Sequence, residues 1–218
     1  MATNIGWFYS IQGIVSLFMP ALMGIVADRW IPAEKALSLC HALAGTFMIA
    51  TGAYGLFAGD GVQFATLFSL YTASVAFFMP TLALSNSVAY TALTQANMDT
   101  VKDFPPIRVL GTVGFIVTMW VVDLCGFQAT PKQFVVSGGL SIALALYSLT
   151  LPKCPTKGHV ENKSLVEALG LEAFALFKRK KMAVFFVFSM LLGMCLQTTD
   201  GYAPPFITGF GAIEECAD

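Results

Sequence analysis

The chain has 218 residues, of which 56% are hydrophobic and 11% charged, with a formal net charge of −1 and a mean hydropathy of +0.73. A soluble domain carries about 25% charged residues, so this composition excludes an ordinary soluble protein. Apolar stretches recur at intervals that leave little room for a separate soluble domain, and one membrane domain is the simpler interpretation.

Six stretches of mostly apolar residues are predicted to cross a membrane as helices, because a hydrocarbon core of about 30 Å takes roughly 20 residues to span. Polar or turn residues separate them. The predicted spans cover residues 5–27, 36–58, 62–84, 107–122, 134–151 and 182–199. The predicted fold class is therefore an all-α membrane protein.

Basic residues set the predicted orientation, because cytoplasmic loops retain Lys and Arg more often than external loops. Of the 12 basic residues, 11 follow the first, third or fifth span, and only Lys132 lies in an alternate loop. This partition predicts that both Met1 and Asp218 are outside. An even number of helices with that orientation leads us to expect an absent preceding helix, so the spans would be helices two to seven of a six-plus-six transporter.

The first span ends in the sequence GIVADRW at residues 24–30. An Asp beside an Arg at a helix end can make charge-assisted contacts in one conformation and release them in another. Asp28 and Arg29 are therefore candidates for conformational gating. The alternative is an ordinary charged turn, with Arg29 at the lipid headgroups.

A polar run closes the third span, after a predicted kink at Pro80. Asn86 and Tyr90 are one turn apart and are candidates to line a cavity, with helix packing as the alternative role for this run. The run consists of Thr81, Ser85, Asn86, Ser87, Tyr90 and Thr91.

The apolar part of the fourth span, residues 107–122, rises only about 24 Å as a helix, which is too short to cross the core. The helix is therefore predicted to begin near Asp103 as its cap, with Pro105 and Pro106 just inside. Arg108 then lies one turn into the helix. An Arg there is costly unless it snorkels, pairs or lines a watery cavity, and so indicates a functional site.

Thr112 and Phe115 share the face of Arg108, because residues four and seven further along a helix lie within about 40° of it. With Gly111 beside them, a guanidinium, a hydroxyl and an aromatic ring form a face suited to a polar, flat ligand. The alternative is that Arg108 reaches the headgroups and Phe115 faces lipid.

The domain organisation predicted from these spans has three parts. Residues 1–151 form most of an N-terminal six-helix bundle, residues 152–181 a cytoplasmic loop between bundles, and residues 182–218 the first helix of a C-terminal bundle and the start of an external loop. Ser164 and Glu167 have capping-box spacing and predict an amphipathic helix in the loop, ending in basic residues that face anionic lipid. The alternative is a solvated tether whose charge sets topology.

The last span ends with Gln197 and Asp200, which share a helix face. The acid could bind a substrate hydroxyl or exchange a proton, and a solvent-exposed Asp200 is the alternative. Five scattered cysteines and two isolated histidines indicate neither a metal site nor a nucleophilic triad. We therefore expect no catalytic residue, no metal and no nucleic-acid partner.

Three segments resemble the bacterial nucleoside:proton symporters of the major facilitator superfamily. They are FPPIRVLGTVGF at residues 104–115, FMPALMGIVAD at residues 18–28 and FSMLLG at residues 188–193. The first is fairly specific to that family, whereas the Asp28-Arg29 signature is typical of the whole superfamily. The resemblance runs essentially throughout the chain.

The resemblance implies a multi-pass protein of the bacterial inner membrane that takes up nucleosides by proton symport, through alternating access between two bundles. Its partners would be nucleoside, proton, the lipid bilayer and the missing helices of the same polypeptide, and a proton gradient rather than a cofactor would drive it. The family's substrate contacts map to Arg108, Thr112, Phe115 and Gln197, and then to Asp200, where family members usually have Asn.

Two rival functions stay open at this point. One is a sugar or organic-anion transporter with the same bundle, and the other is a non-transporting membrane scaffold or receptor. Competition of labelled uridine uptake by sugars separates the carriers, and a scaffold predicts no uptake at all.

Overall fold

A computed structural model describes residues 2–127, 130–155 and 176–209. Within these ranges the long elements are all α-helices, and a 3-10 turn lies at Gly59–Gly61. The helices are α1 (Ala2–Arg29), α2 (Ala33–Ala58), α3 (Phe64–Gln95), α4 (Thr100–Leu124), α5 (Lys132–Ser148) and α6 (Lys180–Gly209).

Five of the helices, α1 to α4 and α6, are long and apolar enough to cross a membrane. α5 has 17 residues and rises about 25 Å, at the lower limit for a spanning helix. Large apolar side chains such as Leu17, Leu110 and Val184 are exposed, as expected of a surface that faces lipid or another protein. The prediction of an all-helical membrane fold is confirmed.

α3 is longer than predicted, because the polar run continues the helix to Gln95 instead of ending it near residue 84. Hydroxyl groups in this run bond back to carbonyl oxygens of the preceding turn, which lets polar residues stay helical. Ser85 donates to the carbonyl of Leu82, and Thr91 to that of Ser87, both at 3.0 Å. With 32 residues, α3 rises about 48 Å.

The start of α4 corrects a second prediction, since Asp99 and not Asp103 caps the helix. The Asp99 carboxylate accepts from the backbone N–H of Val101 at 2.8 Å and of Lys102 at 3.4 Å. Asp103 acts in the reverse direction and accepts from the backbone N–H of Asp99 at 2.9 Å. The helix therefore begins at Thr100, and Arg108 lies about one turn deeper in it than predicted.

Small residues bring α2 and α5 into backbone contact. A methyl group added at Gly138 would lie 2.6 Å from Cγ1 of Ile49 and 2.7 Å from the carbonyl oxygen of Gly45. Ser141 also donates across this pair, to the carbonyl oxygen of His41 at 3.0 Å. Lipid tails are as apolar as the side chains of a membrane helix, so the hydrophobic effect does not drive helix association in a membrane. Close packing of small residues does so instead.

A buried carboxylate fastens the segment that comes after α5. Glu34, only 4% exposed, accepts the backbone N–H of Cys154 at 3.0 Å, and Gln95 donates to the carbonyl of Lys153 at 2.9 Å. We call these two contacts the Glu34 clasp. The apolar cluster around it comprises Ala27, Ala36, Leu37, Cys40, Leu84, Val88 and Cys154.

The chain divides into two compact units, Met1–Glu161 and Asn162–Asp218. The first contains α1 to α5, and the second contains α6. Ser164 and Glu167, which predict the amphipathic helix, lie outside the described residues.

Candidate functional site

The face of α4 predicted to carry the site is accessible along its length. α4 has no buried residue, and Arg108, Thr112 and Phe115 are all exposed, Phe115 by 65%. A methyl group added at Gly111 or Gly114 would meet nothing within 4 Å. One helix thus presents a cation, a hydroxyl and an aromatic ring side by side, with open space next to them.

Arg108 has a partner on α3 that the sequence did not indicate. Its Nη1 donates to Oδ1 of Asn86 at 2.9 Å. One turn along each helix, the rings of Tyr90 and Phe104 lie 4.5 Å apart between centroids, tilted by 38°. Asn86 and Tyr90, predicted to line a cavity or to pack helices, thus both contact α4. The only available signal was the presence of polar residues near the same ends of two antiparallel predicted helices.

A cavity of about 360 Å³ lies elsewhere in the first unit, among side chains from α1 to α5. Gln12 donates to the hydroxyl of Tyr71 at 2.5 Å, and Nδ1 of His41 lies 3.2 Å from the hydroxyl of Ser141. Sequence patterns missed this cavity because its polar groups come from five helices that lie far apart in the sequence. Its polar lining residues include Gln12, His41, Tyr71, Ser74, Thr118, Gln133, Ser137 and Ser141.

The two predicted gating residues lie at the end of α1. Arg29 is the last residue of the helix, Asp28 is exposed and Arg29 is half-buried. The next turn is closed by backbone hydrogen bonds from Trp30 and Ile31 to the carbonyl oxygen of Val26, at 2.9 and 3.0 Å. The pair therefore stands on a well-formed helix end that leads directly into the turn before α2.

The two remaining predicted site residues belong to α6, in the second unit. Gln197 is exposed. Thr198 and Thr199 donate to carbonyl oxygens of their own helix, Met194 at 2.8 Å and Cys195 at 3.0 Å. Asp200 is helical, and its side chain lies outside what the structure describes. Among the described residues of the chain, no cluster of three His, Cys, Asp or Glu side chains could hold a metal ion.

Comparisons with known proteins give one family. The family described as nucleoside H+ symporter matches residues 1–217. The xanthosine permease of Escherichia coli (strain K12) is 43% identical over 99% of this chain and 50% of the permease. The nucleoside permease NupG of the same organism is 45% identical over 95% of this chain and 48% of that permease. A crystal structure of the nucleoside transporter NupG, as a D323A mutant, matches with a TM-score of 0.80 and 42% identity over 95% of this chain and 50% of that one. The chain thus spans about half the length of the curated relatives it matches.

Proposed function

The chain belongs to the nucleoside H+ symporter family, and from that premise we propose that it takes up nucleosides together with protons, as part of a transporter of its relatives' length. It is a multi-pass membrane protein of a transporter family, not an enzyme. A proton gradient across the inner membrane drives uptake, and no cofactor is required. The observation that carries the proposal is the exposed face of Arg108, Thr112 and Phe115 on α4.

The chemistry of that face suits a nucleoside. A flat base stacks on the ring of Phe115, and sugar hydroxyls pair with the hydroxyl of Thr112 and the guanidinium of Arg108. A guanidinium carries five N–H donors, so Arg108 retains donors for a ligand while Nη1 bonds to Asn86. Arg108, Thr112 and Phe115 are thus the substrate contacts of the first unit.

In this proposal α6 supplies a second group of contacts. Gln197 offers an amide that both donates and accepts, and Asp200 offers an acceptor where the resemblance implies an Asn. In this scheme Asp200 alters the preference among nucleosides, adds a proton site or has no effect on transport. Asp28 and Arg29 are not substrate contacts in this proposal. As a charged pair at a helix end, they shift the balance between inward-closed and outward-closed states.

The test is nucleoside uptake by a family-length transporter, that is, one of the relatives' length that carries this sequence. Arg108→Ala should lower uptake of labelled uridine by about tenfold or more, since a hydrogen bond to a charged group is worth more than a neutral one. A proton ionophore should abolish uptake by the unchanged transporter. Lys102→Ala, which removes an exposed basic residue near the start of the same helix, should leave uptake normal. Normal uptake by Arg108→Ala would overturn the binding role.

An organic-anion carrier is the second candidate, and the positive charge on Arg108 is the observation that favours it. An excess of unlabelled organic anion should then compete with labelled uridine, whereas a nucleoside site should respond only to nucleosides. Competition by sugars tests the third carrier class in the same assay.

A further inference from the structure

The contact between Arg108 and Asn86 joins a residue of the proposed substrate face to a residue outside it. Asn86 is half-buried on α3, and its Oδ1 accepts from Nη1 of Arg108 at 2.9 Å. That distance is in the range of strong charge-assisted hydrogen bonds. An arginine has four single bonds of side-chain freedom, and a fixed acceptor removes much of it.

A second contact between the two helices lies beside this bond. The rings of Tyr90 and Phe104 pack at 4.5 Å between centroids, one turn from Asn86 on α3 and one turn from Arg108 on α4. Because the helices are antiparallel, moving one turn along each of them leads from the ring contact to the contact between the amide and the guanidinium. The ring contact therefore helps to hold Asn86 close to α4 independently of Arg108.

Arg108 has little else to hold it on its own helix. Every residue of α4 from Pro105 to Trp120 is exposed, and Gly111 leaves the space one turn along open. A free guanidinium on such a face samples many rotamers, and each must be given up when a ligand binds. An acceptor that selects one rotamer beforehand lowers that cost.

We propose that Asn86 is a positioning residue for substrate recognition: its amide oxygen holds the guanidinium of Arg108 in the orientation that binds substrate. This inference rests on the proposed role of Arg108 in binding. Asn86 makes no contact with substrate in this scheme and acts only through Arg108.

The test compares two substitutions of similar size in the family-length transporter. Asn86→Leu keeps the volume and removes the acceptor, and it should raise KM for uridine about tenfold while Vmax stays within about twofold. Asn86→Asp keeps an acceptor oxygen in place and should return KM to within about threefold of the unchanged transporter. Ser85→Ala, whose hydroxyl bonds only to its own helix at Leu82, is the matched control and should leave KM unchanged.

The outcomes separate this inference from the proposed function. If Arg108→Ala loses uptake while Asn86→Leu keeps its KM, Asn86 has no positioning role and the binding role of Arg108 stands. If Arg108→Ala keeps normal uptake, the binding role fails first. If Asn86→Leu does not accumulate in the membrane, Asn86→Ala replaces it, and a KM equal to that of the unchanged transporter again overturns the proposal. Equal rises in KM for the Leu and Asp variants would also overturn it, because they would indicate packing alone.

Discussion

α2 and α4 have nearly the same length and are both apolar, yet α2 packs inside the first unit whereas α4 lies at its surface. Nine residues of α2 are buried, and none of α4 is. Gly45 and Gly52 of α2 meet α5 at distances that exclude a methyl group, whereas Gly111 and Gly114 of α4 face open space. The difference shows that hydropathy identifies membrane helices without indicating which of them build the scaffold and which present a surface.

Among the tests of this comparison, we expect the largest effect when a glycine of α5 is replaced by valine. Gly138→Val should sharply lower the yield of folded protein, because its Cβ would lie 2.6 Å from Ile49 and 2.7 Å from the backbone of Gly45, and overpacking of this kind costs about 1–3 kcal/mol or more. Gly139→Val changes the next residue, where nothing lies within 4 Å, and should accumulate normally. Size-exclusion profiles of detergent extracts measure both, and a monodisperse Gly138→Val protein would contradict the scaffold role of α5.

A smaller effect sharpens the part played by α4. Phe115→Ala should leave the folded fraction unchanged, because exposed substitutions rarely alter stability by more than about 0.5 kcal/mol. It should raise KM for nucleosides about tenfold, since stacking of a base on an aromatic ring is worth about 1–3 kcal/mol. Trp120→Ala, on the same helix and 69% exposed against 65% for Phe115, is the control. Equal KM values for the two variants would show that Phe115 meets lipid, not substrate.

The prediction with the smallest expected effect concerns the Glu34 clasp, which holds the segment after α5. Burial, above all, raises the pKa of the Cys154 thiol; a hydrogen bond with Thr91 lowers this pKa, and the charge of Glu34 raises it. Maleimide reacts with the thiolate, so a transporter whose only cysteine is Cys154 should label slowly near neutral pH, and faster as pH rises. Glu34→Ala should speed labelling several-fold, because exposure returns the thiol pKa toward its ordinary value.

Glu34→Gln provides the control for that experiment. It keeps an acceptor oxygen for the backbone N–H of Cys154 and should stay largely protected. Equal labelling of the Ala variant and the unchanged protein would mean that the clasp does not hold the segment after α5.

Much of the fold is determined by local features of the sequence, and the contacts between helices are not. Runs of apolar residues located all six helices to within a few residues at most ends, because the length of a span is a local property. The end of α3 and the cap of α4 were wrong, since hydroxyls that bond to their own helix and the reciprocal pair of Asp99 and Asp103 override the hydropathy boundary. The end of α6 was wrong as well, because the helix continues past the predicted end at residue 199 to Gly209. The face of Arg108, Thr112 and Phe115 is predicted by helical periodicity alone.

The partners of these residues could not be predicted in the same way. Asn86 lies 22 positions from Arg108 and Ser141 lies 100 positions from His41, and no periodic pattern relates residues so far apart. His41 and Ser141 meet because glycines let α2 and α5 approach closely, and Asn86 meets Arg108 beside the contact between the rings of Tyr90 and Phe104. That approach is a property of two surfaces together and cannot be assigned to either helix by itself.

The two prolines in the second turn of α4 indicate how deep the residues of this helix lie in the membrane. Neither Pro105 nor Pro106 has a backbone N–H, so the carbonyls of Val101 and Lys102 lack their usual donors in the helix and need water, which the hydrocarbon does not supply. We therefore expect Lys102 at the boundary of the membrane. For a helix along the membrane normal, Thr112 would then lie about 15 Å beyond that boundary, near the bilayer midplane, where secondary transporters bind their substrates.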